Sequence, residues 1–221
     1  HEILPLKNPR EAKIAYTVMP NHLYRLDSIA YLHFSVGADS LIRNTMSQTL
    51  LKKGDAFSVL NLDGERSRLN SLFRNNGFFY YKPEYIAYRA DTVAKPYKVQ
   101  LQVMPAANIP KAAQKKYYLG KTKINIYQQN DFELTDSIGR KDFKMFFSDK
   151  KHKTPLKMNA IRRYLFYKKG DLYREDLQNF IQEQLSGMGV FSQVSMKYVP
   201  RDSMMTSDTL DIEINGVLDK P

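Results

Sequence analysis

Apolar residues recur along this chain at two periods, every second residue in some stretches and every three to four residues in others. The first period is typical of half-buried strands and the second of amphipathic helices. From residue 22 onward the periods predict a strand, two helices and a hairpin, and from residue 117 they predict the same order again. The sequence therefore predicts an α+β protein with tandem β-α-α-β-β units, each a three-stranded sheet covered by two helices.

Glycine and proline interrupt these periods and mark where each element ends. In the first unit the predicted elements are a strand over 23–34, a helix from Ser40 to Lys53, a helix that begins between Ser58 and Asp63 and ends at Gly77, and hairpin strands over 79–89 and 97–104. In the second unit they are a strand over 117–127, a helix from Pro155 to Gly170, a helix that ends at Gly189, and strands around 194–198 and 210–214. Residues 128–154 interrupt the second unit and are predicted to form a polar, basic loop with an apolar cluster over 143–147.

These elements predict the domain boundaries. Residues 22–105 form the first domain and residues 117–216 the second, with a linker over 106–116. Lys13–Val18 alternates and then meets a Met-Pro pair, as the last strand of the first unit does. We therefore expect residues 1–21 to hold the closing strand of a preceding unit after an irregular start, and the chain to be an internal piece of a longer protein.

One six-residue motif is present in both units. KKGDAF (Lys52–Phe57) returns as KKGDLY (Lys168–Tyr173), and the helix after each copy ends near a second glycine, Gly77 or Gly189. The glycines of the motif are 116 residues apart and the second pair 112, so one unit is used twice. All four glycines are predicted to end helices in the left-handed conformation, which glycine adopts without steric cost.

The net charge of +11 is concentrated in one region. Residues 111–169 contain 16 Lys and Arg against five Asp and Glu, so the remainder of the chain is balanced. Such a region favours an anionic neighbour, whether nucleic acid, lipid headgroups or an acidic protein, although a solvated lysine-rich insertion has the same composition. No apolar run approaches the roughly 20 residues that a membrane-spanning helix needs.

Residue patterns that support catalysis or metal binding are missing. The chain has no cysteine, which excludes disulfides, thiol catalysis and cysteine-ligated metal. Its four histidines do not stand at metal-ligand spacings or near partners for a catalytic triad, and its glycines are not in a phosphate-binding motif. We therefore expect no catalytic residue, no metal site and no cofactor, and predict that the protein is not an enzyme.

The second strand of each predicted sheet is expected at an edge. An edge strand presents unpaired N–H and C=O groups, to which an extended peptide can add as a further strand with little sequence preference. Pro83 removes one donor from the first such edge, which makes the second edge the better binding site. The residues predicted to bind extended segments there are Gln193, Val194, Ser195, Met196, Lys197 and Tyr198.

A strand, a helix ending in KxGD-aromatic, a second helix ending in xGxF and a closing hairpin together resemble a polypeptide-transport-associated (POTRA) domain. These domains are the periplasmic modules that precede the β-barrel in the outer-membrane assembly family that includes BamA and TamA. RSRLNSLFRNNGFFYYKPEYI (Arg66–Ile86) and KKGDLYREDLQNFIQEQLSGMGVFSQV (Lys168–Val194) are most similar to the TamA-like proteins of Bacteroidetes, called TamL. The resemblance covers about residues 13–216, and the insertion is its main departure.

The resemblance implies the periplasmic region of an outer-membrane protein of a Gram-negative bacterium, with its own β-barrel expected beyond Pro221. It implies a scaffold for protein translocation and β-barrel biogenesis, which binds unfolded outer-membrane protein clients and accessory assembly proteins. The second unit then lies nearest the membrane, where anionic lipid headgroups would attract its lysines. The expected contacts with this anionic surface are Lys141, Lys144, Lys150, Lys151 and Lys153.

The alternative is a tandem α+β nucleic-acid-binding protein that uses the basic region over 111–169. Aromatic residues alternate with lysines there, as in proteins that stack single-stranded bases on aromatic rings. The core needs Tyr164 and the alternate strand positions, however, so few rings remain free and no nucleic-acid partner is predicted. The aromatic residues in question are Tyr117, Tyr118, Phe143, Tyr164 and Tyr167.

Overall fold

The computed structural model describes residues 2–5, 12–16, 22–129, 131, 133–148, 156–202 and 206–219. Within these ranges the chain forms four α-helices and ten strands, and the predicted α+β class is confirmed. The strands are β1 (Glu2–Pro5), β2 (Ala12–Ala15), β3 (Arg25–Tyr31), β4 (Ile86–Asp91), β5 (Lys98–Pro105), β6 (Tyr118–Tyr127), β7 (Asp136–Arg140), β8 (Phe143–Phe147), β9 (Phe191–Pro200) and β10 (Thr209–Leu218). The helices are α1 (Val36–Asn44), α2 (Val59–Arg74), α3 (Met158–Arg162) and α4 (Glu175–Ser186).

Ahead of the first unit, β1 and β2 pair antiparallel as a two-stranded hairpin. The sequence predicted irregular structure over residues 1–12, which is wrong for Glu2–Pro5 because these residues form β1. The strand predicted over Lys13–Val18 is present as β2, which begins at Ala12 and ends at Ala15. A strand without a partner would leave its backbone N–H and C=O groups unpaired, and the additional strand satisfies them. Residues 17–21 lie outside the described residues.

The first unit comprises β3, α1, α2, β4 and β5 in the predicted order. Its sheet has the strand order β3-β5-β4, with β5 parallel to β3 and antiparallel to β4. Alternate residues of the central strand, such as Val99 and Leu101, are buried in one core with Ile42 of α1 and with Leu69 and Phe73 of α2. The two helices and the sheet thus enclose one apolar core, as the two periods of the sequence predict.

The first helix begins earlier and ends sooner than predicted. Ser35, not Ser40, precedes its first turn, and the Ser35 hydroxyl accepts a hydrogen bond from Ala38 N at 3.4 Å. The Thr45 hydroxyl donates to Leu41 O at 2.9 Å, which satisfies one of the last carbonyls of the helix. The chain then continues through a short 3-10 turn toward the KKGD motif rather than as one helix up to that motif.

The second unit contains a five-stranded sheet rather than the predicted three-stranded one. Its strand order is β7-β8-β6-β10-β9, in which β6, β10 and β9 repeat the arrangement of the first unit. The insertion adds β7 and β8, and β8 lies parallel to β6, so the prediction of a loop is wrong for these residues. Met145 and Phe147 are 0% and 3% exposed because alternate residues of a strand face the same side of the sheet.

The KKGD motif forms the same turn in both units, but it does not end a helix, because α1 and α3 end well before it. Gly54 and Gly170 both have φ of 92°, in the left-handed region that favours glycine. Gly54 N donates to Leu26 O at 2.7 Å, and Gly170 N donates to Leu119 O at 2.8 Å. The motif therefore docks against the first strand of its own unit and pairs with it through a single bridge.

The second pair of glycines does end helices, as predicted. Gly77 and Gly189 have φ of 98° and 69°, and each lies three residues after the last residue of its helix, α2 or α4. The equal distance from the helix end in both units follows from the duplicated sequence.

Candidate functional site

β9 lies at one edge of the second sheet, where the sequence analysis expected it. Within the described residues it pairs with β10 alone, and β4 pairs with β5 alone at the edge of the first sheet. β4 begins at Ile86 rather than near Phe79, so Pro83 precedes this edge and does not interrupt it. Each unit therefore has an open edge formed by its second strand.

The register of β9 determines which of its backbone groups face outward. Arg201 N donates to Thr209 O at 3.1 Å across the β9–β10 ladder, and antiparallel ladders alternate hydrogen-bonded and non-hydrogen-bonded pairs. With this register the N–H and C=O groups of Val194, Met196 and Tyr198 point away from β10. Their side chains are buried in the core, so an incoming strand would meet mainly backbone groups.

The other three predicted edge residues have the opposite arrangement. Gln193, Ser195 and Lys197 direct their backbone groups toward β10 and their side chains into solvent. Lys197 Nζ lies 3.1 Å from Glu213 Oε2 on β10. The predicted six residues are thus one continuous strand, of which alternate residues offer their hydrogen-bonding groups to a partner.

Each open edge has one carbonyl that a helix side chain already occupies. Gln178 Nε2 of α4 donates to Met196 O at 2.9 Å, and Arg66 Nε of α2 donates to Ile86 O at 3.2 Å. Positions 66 and 178 are 112 residues apart, the spacing of the helix-ending glycines, so they are equivalent in the repeat. An incoming strand must displace the Gln178 amide before it can bond to Met196 O.

The structure describes two of the five lysines predicted to contact an anionic surface. Lys141 is exposed in the turn between β7 and β8, and Lys144 is exposed on β8. Lys150, Lys151 and Lys153 lie outside the described residues.

Lys144 has a cationic neighbour that the sequence analysis did not select. Lys123 of β6 is its partner in the parallel register, and the Nζ atoms of both lie over the Phe146 ring, 5.2 Å from its centroid for Lys123 and 5.9 Å for Lys144. Ile124 and Met145 face the core, so these two lysines stand on the sheet face away from the helices. Two ammonium groups beside one aromatic ring can attract an anion or a headgroup.

The aromatic residues among the lysines are mostly committed to the core. Tyr117 is 1% exposed, and Phe143, Tyr164 and Tyr167 pack against the second core. Tyr118 is the exception, at 39% exposed. A surface that stacks several bases in succession is therefore missing from the described part of this region.

The two units meet at a joint that the sequence analysis did not predict. Arg74, the last residue of α2, lies at its centre: Nε is 2.7 Å from Glu175 Oε1, and the guanidinium also donates to Phe79 O at 2.7 Å and to Tyr173 Oη at 2.9 Å. Burial raises the pKa of Tyr173 to about 12, so its phenol stays protonated. One side chain thus connects the end of a helix in the first unit to the second unit.

An aromatic side chain of the first unit inserts into the second core. The Phe79 ring packs edge-on against Tyr173 with centroids 4.9 Å apart, and against Tyr117 and Tyr198 at 6.1 and 6.0 Å. Tyr80 packs against Tyr117 at 5.3 Å. The neighbouring unit thus holds Phe79 and Tyr80, whereas Phe78 and Tyr81 pack in the first core. Residues 78–85 accordingly form turns and a 3-10 helix rather than the start of β4.

Backbone contacts complete the joint. Asp176 N, in the first turn of α4, donates to Asn75 Oδ1 at 2.9 Å, while the N-cap residue Arg174 makes no side-chain cap. Tyr117 N donates to Gly77 O at 2.8 Å. Its φ of 98° favours glycine at position 77, and a Cβ atom there would lie 2.7 Å from the Leu172 side chain, which would have to shift. The NNGFFYY run after α2 was the available sequence signal.

A buried carboxylate fixes the interior of the first unit. Glu65 is 0% exposed and accepts hydrogen bonds from Arg68 at 2.6 and 2.9 Å, from Tyr31 Oη at 2.6 Å and from Leu50 N at 2.9 Å. Burial acts to raise its pKa, but the hydrogen bonds from Arg68, Tyr31 and Leu50 N outweigh burial and hold the pKa below the usual range for glutamate. This network joins α2, β3 and the segment before the KKGD motif, and its role is structural.

The described residues contain no group of three or more His, Cys, Asp or Glu side chains placed to hold a metal ion. No helix in these ranges is both long and apolar enough to cross a membrane.

The fold is similar to that of a solved BamA structure. A crystal structure of BamA from Haemophilus ducreyi lacking POTRA domains 1–3 has a TM-score of 0.56 and 16% identity, over 89% of this chain and 30% of that chain. BamA POTRA3–5 from Haemophilus influenzae has a TM-score of 0.36 and 12% identity over 91% of this chain and 100% of that one. CdiB from Acinetobacter baumannii has a TM-score of 0.35 and 10% identity over 92% and 31%.

No protein-family model and no curated protein matches the chain. The likeness to the Haemophilus ducreyi structure shows a shared fold, and the chain spans less than a third of that protein's chain.

Proposed function

We propose that this chain is a non-enzymatic, periplasmic scaffold region of an outer-membrane protein assembly or translocation factor. The observation that carries the proposal is the open β9 edge, on a fold shared with part of a BamA structure. Val194 and Tyr198 direct N–H and C=O groups outward there, with no backbone partner among the described residues. Backbone recognition suits a receiver of many different unfolded chains because it requires little of their sequence.

Its partners would be unfolded outer-membrane protein clients and accessory assembly proteins. Clients would add to β9 as a further strand and displace the Gln178 amide from Met196 O. Anionic lipid headgroups would bind near Lys123 and Lys144, on the face of the second sheet away from the helices. The motifs Arg66–Ile86 and Lys168–Val194 support, within this class, a TamA-like protein of the Bacteroidetes type.

The same proposal assigns the domains. Residues 22–105 and 117–216 would be two POTRA-like domains, and residues 1–21 the closing part of a preceding one. The hairpin of β1 and β2 supports the last assignment because β4 and β5 close the first unit in the same way. The segment over 106–116 would connect the domains as a packed strap rather than a free linker, since Ala113 is 0% exposed.

Replacing Val194 by proline tests the edge, because proline removes the outward N–H and leaves the β10 ladder intact. The probe is a small outer-membrane barrel protein diluted from urea, with binding followed by fluorescence anisotropy. We expect Val194→Pro to weaken binding by about tenfold relative to Val194→Ala, the control that loses the side chain but keeps the donor. Gln178→Ala should strengthen binding by about two- to fivefold, because it frees an acceptor.

Equal affinities for Val194→Pro and Val194→Ala would show that clients do not use this edge. The nucleic-acid alternative is tested in parallel with a single-stranded RNA oligonucleotide. Binding of RNA that is tighter than client binding and falls steeply with salt would favour that alternative.

A further inference from the structure

Each unit repeats three strands, β3-β5-β4 in the first and β6-β10-β9 in the second. The first strand of this set has a further strand beside it in the second unit but not in the first. In the second unit β8 covers the outer side of β6 and runs parallel to it. In the first unit β3 is the strand equivalent to β6. Among the described residues β3 pairs with β5 on one side, and the backbone on its other side bonds to the KKGD turn near Leu26 but to no strand. The same three-stranded arrangement is thus present twice in this chain, once with an added strand at this edge and once without it.

A shared irregularity aligns the two edges residue by residue. β3 has one extra residue between Leu26 and Ser28, and β6 has one extra residue after Leu119. Leu26 and Leu119 both bond to the KKGD turn of their own unit. Counting three residues on from each, Ile29 corresponds to Thr122, and two residues later Tyr31 corresponds to Ile124.

The equivalent groups in the second unit show which way those of β3 point. Thr122 N donates to Asp142 O at 2.9 Å, toward the inserted hairpin, and Ile124 pairs in register with Met145 of β8. By the same alternation the N–H and C=O groups of Ile29 and Tyr31 face outward, and no described residue bonds to them. The first unit therefore presents two donors and two acceptors where the second unit binds a strand.

The surroundings of this edge favour an apolar, alternating strand. Met145, which occupies the equivalent site in the second unit, is 0% exposed. In the first unit Met46 and Leu50 remain 40% and 49% exposed, in the segment that Thr49 ties to Tyr31 through a 2.8 Å hydrogen bond between their hydroxyl groups. An incoming strand with apolar residues at alternate positions would cover part of this surface.

We propose that the outer edge of β3, at Ile29 and Tyr31, is a second docking site for an extended segment of a partner polypeptide. The segment runs parallel to β3, as β8 runs parallel to β6, and carries apolar residues at alternate positions. The site is distinct from the β9 edge because it lies in the first unit. The parallel pairing of β8 with β6 indicates the orientation of its partner.

The probe is a capped peptide with the sequence KDFKMFFS, residues 141–148 of this chain, which contains β8. Amide hydrogen exchange of the whole chain is measured with and without the peptide. At about nine times the dissociation constant, exchange of the Ile29 and Tyr31 amides should slow about tenfold, because only the unbound fraction exchanges. The control peptide has proline in place of Lys144 and Phe146, whose N–H groups face β6 in the native pairing, and should give no protection.

Two protein variants test the same site from the side of β3. Ile29→Pro removes one outward donor and should abolish protection at Tyr31, whereas Ile29→Ala keeps the donor and should retain it. If Ile29→Pro fails to fold, the comparison of the two peptides still decides. Three outcomes would overturn the proposal: protection confined to β9, equal protection by both peptides, or no protection at saturating peptide. The first of these would still be consistent with the proposed client site at the β9 edge.

Discussion

Replacing Arg74 by methionine should loosen the joint between the two units, because methionine keeps an apolar stem and removes the guanidinium. The substitution removes the two short part-buried hydrogen bonds of the guanidinium, to Phe79 O and Tyr173 Oη, each worth about 1.5 kcal/mol for a charged donor. The ion pair with Glu175, which is 37% exposed, adds about 0.5 to 1 kcal/mol. We therefore expect the free energy of unfolding to fall by about 3.5 kcal/mol, of which about 2 kcal/mol couples one unit to the other.

The coupling is measured by calorimetry and by urea unfolding followed by circular dichroism, since the chain has no tryptophan. The unaltered chain should unfold in one transition, and Arg74→Met should separate it into two. The matched control is Arg43→Met, which removes an ion pair with Asp39 from a side chain that is 78% exposed. That control should change stability by less than about 0.5 kcal/mol and leave a single transition.

A double-mutant cycle with Glu175→Gln isolates the contact across the joint. We expect a coupling energy of about 1 kcal/mol between positions 74 and 175. If Arg74→Met and Arg43→Met have the same small effect, or if the coupling energy is zero, Arg74 does not join the units and the reasoning from its hydrogen bonds is wrong.

Three further predictions concern Glu65 and Gly77. Glu65→Gln should cost about 3 to 5 kcal/mol because it leaves Arg68 without its buried partner, and a wild-type stability equal to that of the variant at pH 7 would contradict this. The Glu65 pKa is lowered on folding, so the stabilisation by Glu65 should be fully present above the unfolded pKa of about 4.3 and be lost as the pH falls through the folded pKa. Chemical denaturation at a series of pH values should show this loss in the unaltered chain and not in Glu65→Gln. Gly77→Ala should destabilise the chain more than Gly54→Ala in thermal melts. The two glycines have similar φ, 98° and 92°, but only a Cβ at Gly77 would meet Leu172. Equal losses of stability would show that backbone strain alone matters at Gly77.

The insertion shows a limit of predicting structure from local sequence patterns. FKMFF alternates weakly and stands in a polar, basic stretch, a pattern that predicts an apolar cluster in a loop. It is a strand because β6 offers it a free edge, and that edge exists only after the sheet has formed. The sequence shows that the KKGD motif is repeated, but it predicts helix ends at the two glycines of the motif, because a left-handed glycine after an amphipathic stretch fits a helix cap and a docking turn equally well.

Some features of the candidate site could be predicted from the sequence and others could not. The position of β9 at an edge could be predicted from the arrangement expected of a three-stranded sheet of this type, in which the second strand lies at an edge. The Gln178 amide on Met196 O could not, because it depends on the distance between a helix face and a strand. The spacing of 112 residues between Arg66 and Gln178 indicated equivalent positions without indicating what they contact.

The amino-acid sequence by itself determined that one strand–helix–helix–hairpin unit is used twice, because periodicity and glycine placement act over a few neighbouring residues. Only the tertiary structure decided that Phe79 inserts into the second core, that Asn75 caps α4, and which sheet edges remain open. Those features join residues about 40 to 120 positions apart in the chain. Their contacts depend on how packed surfaces meet in space, which no local pattern records.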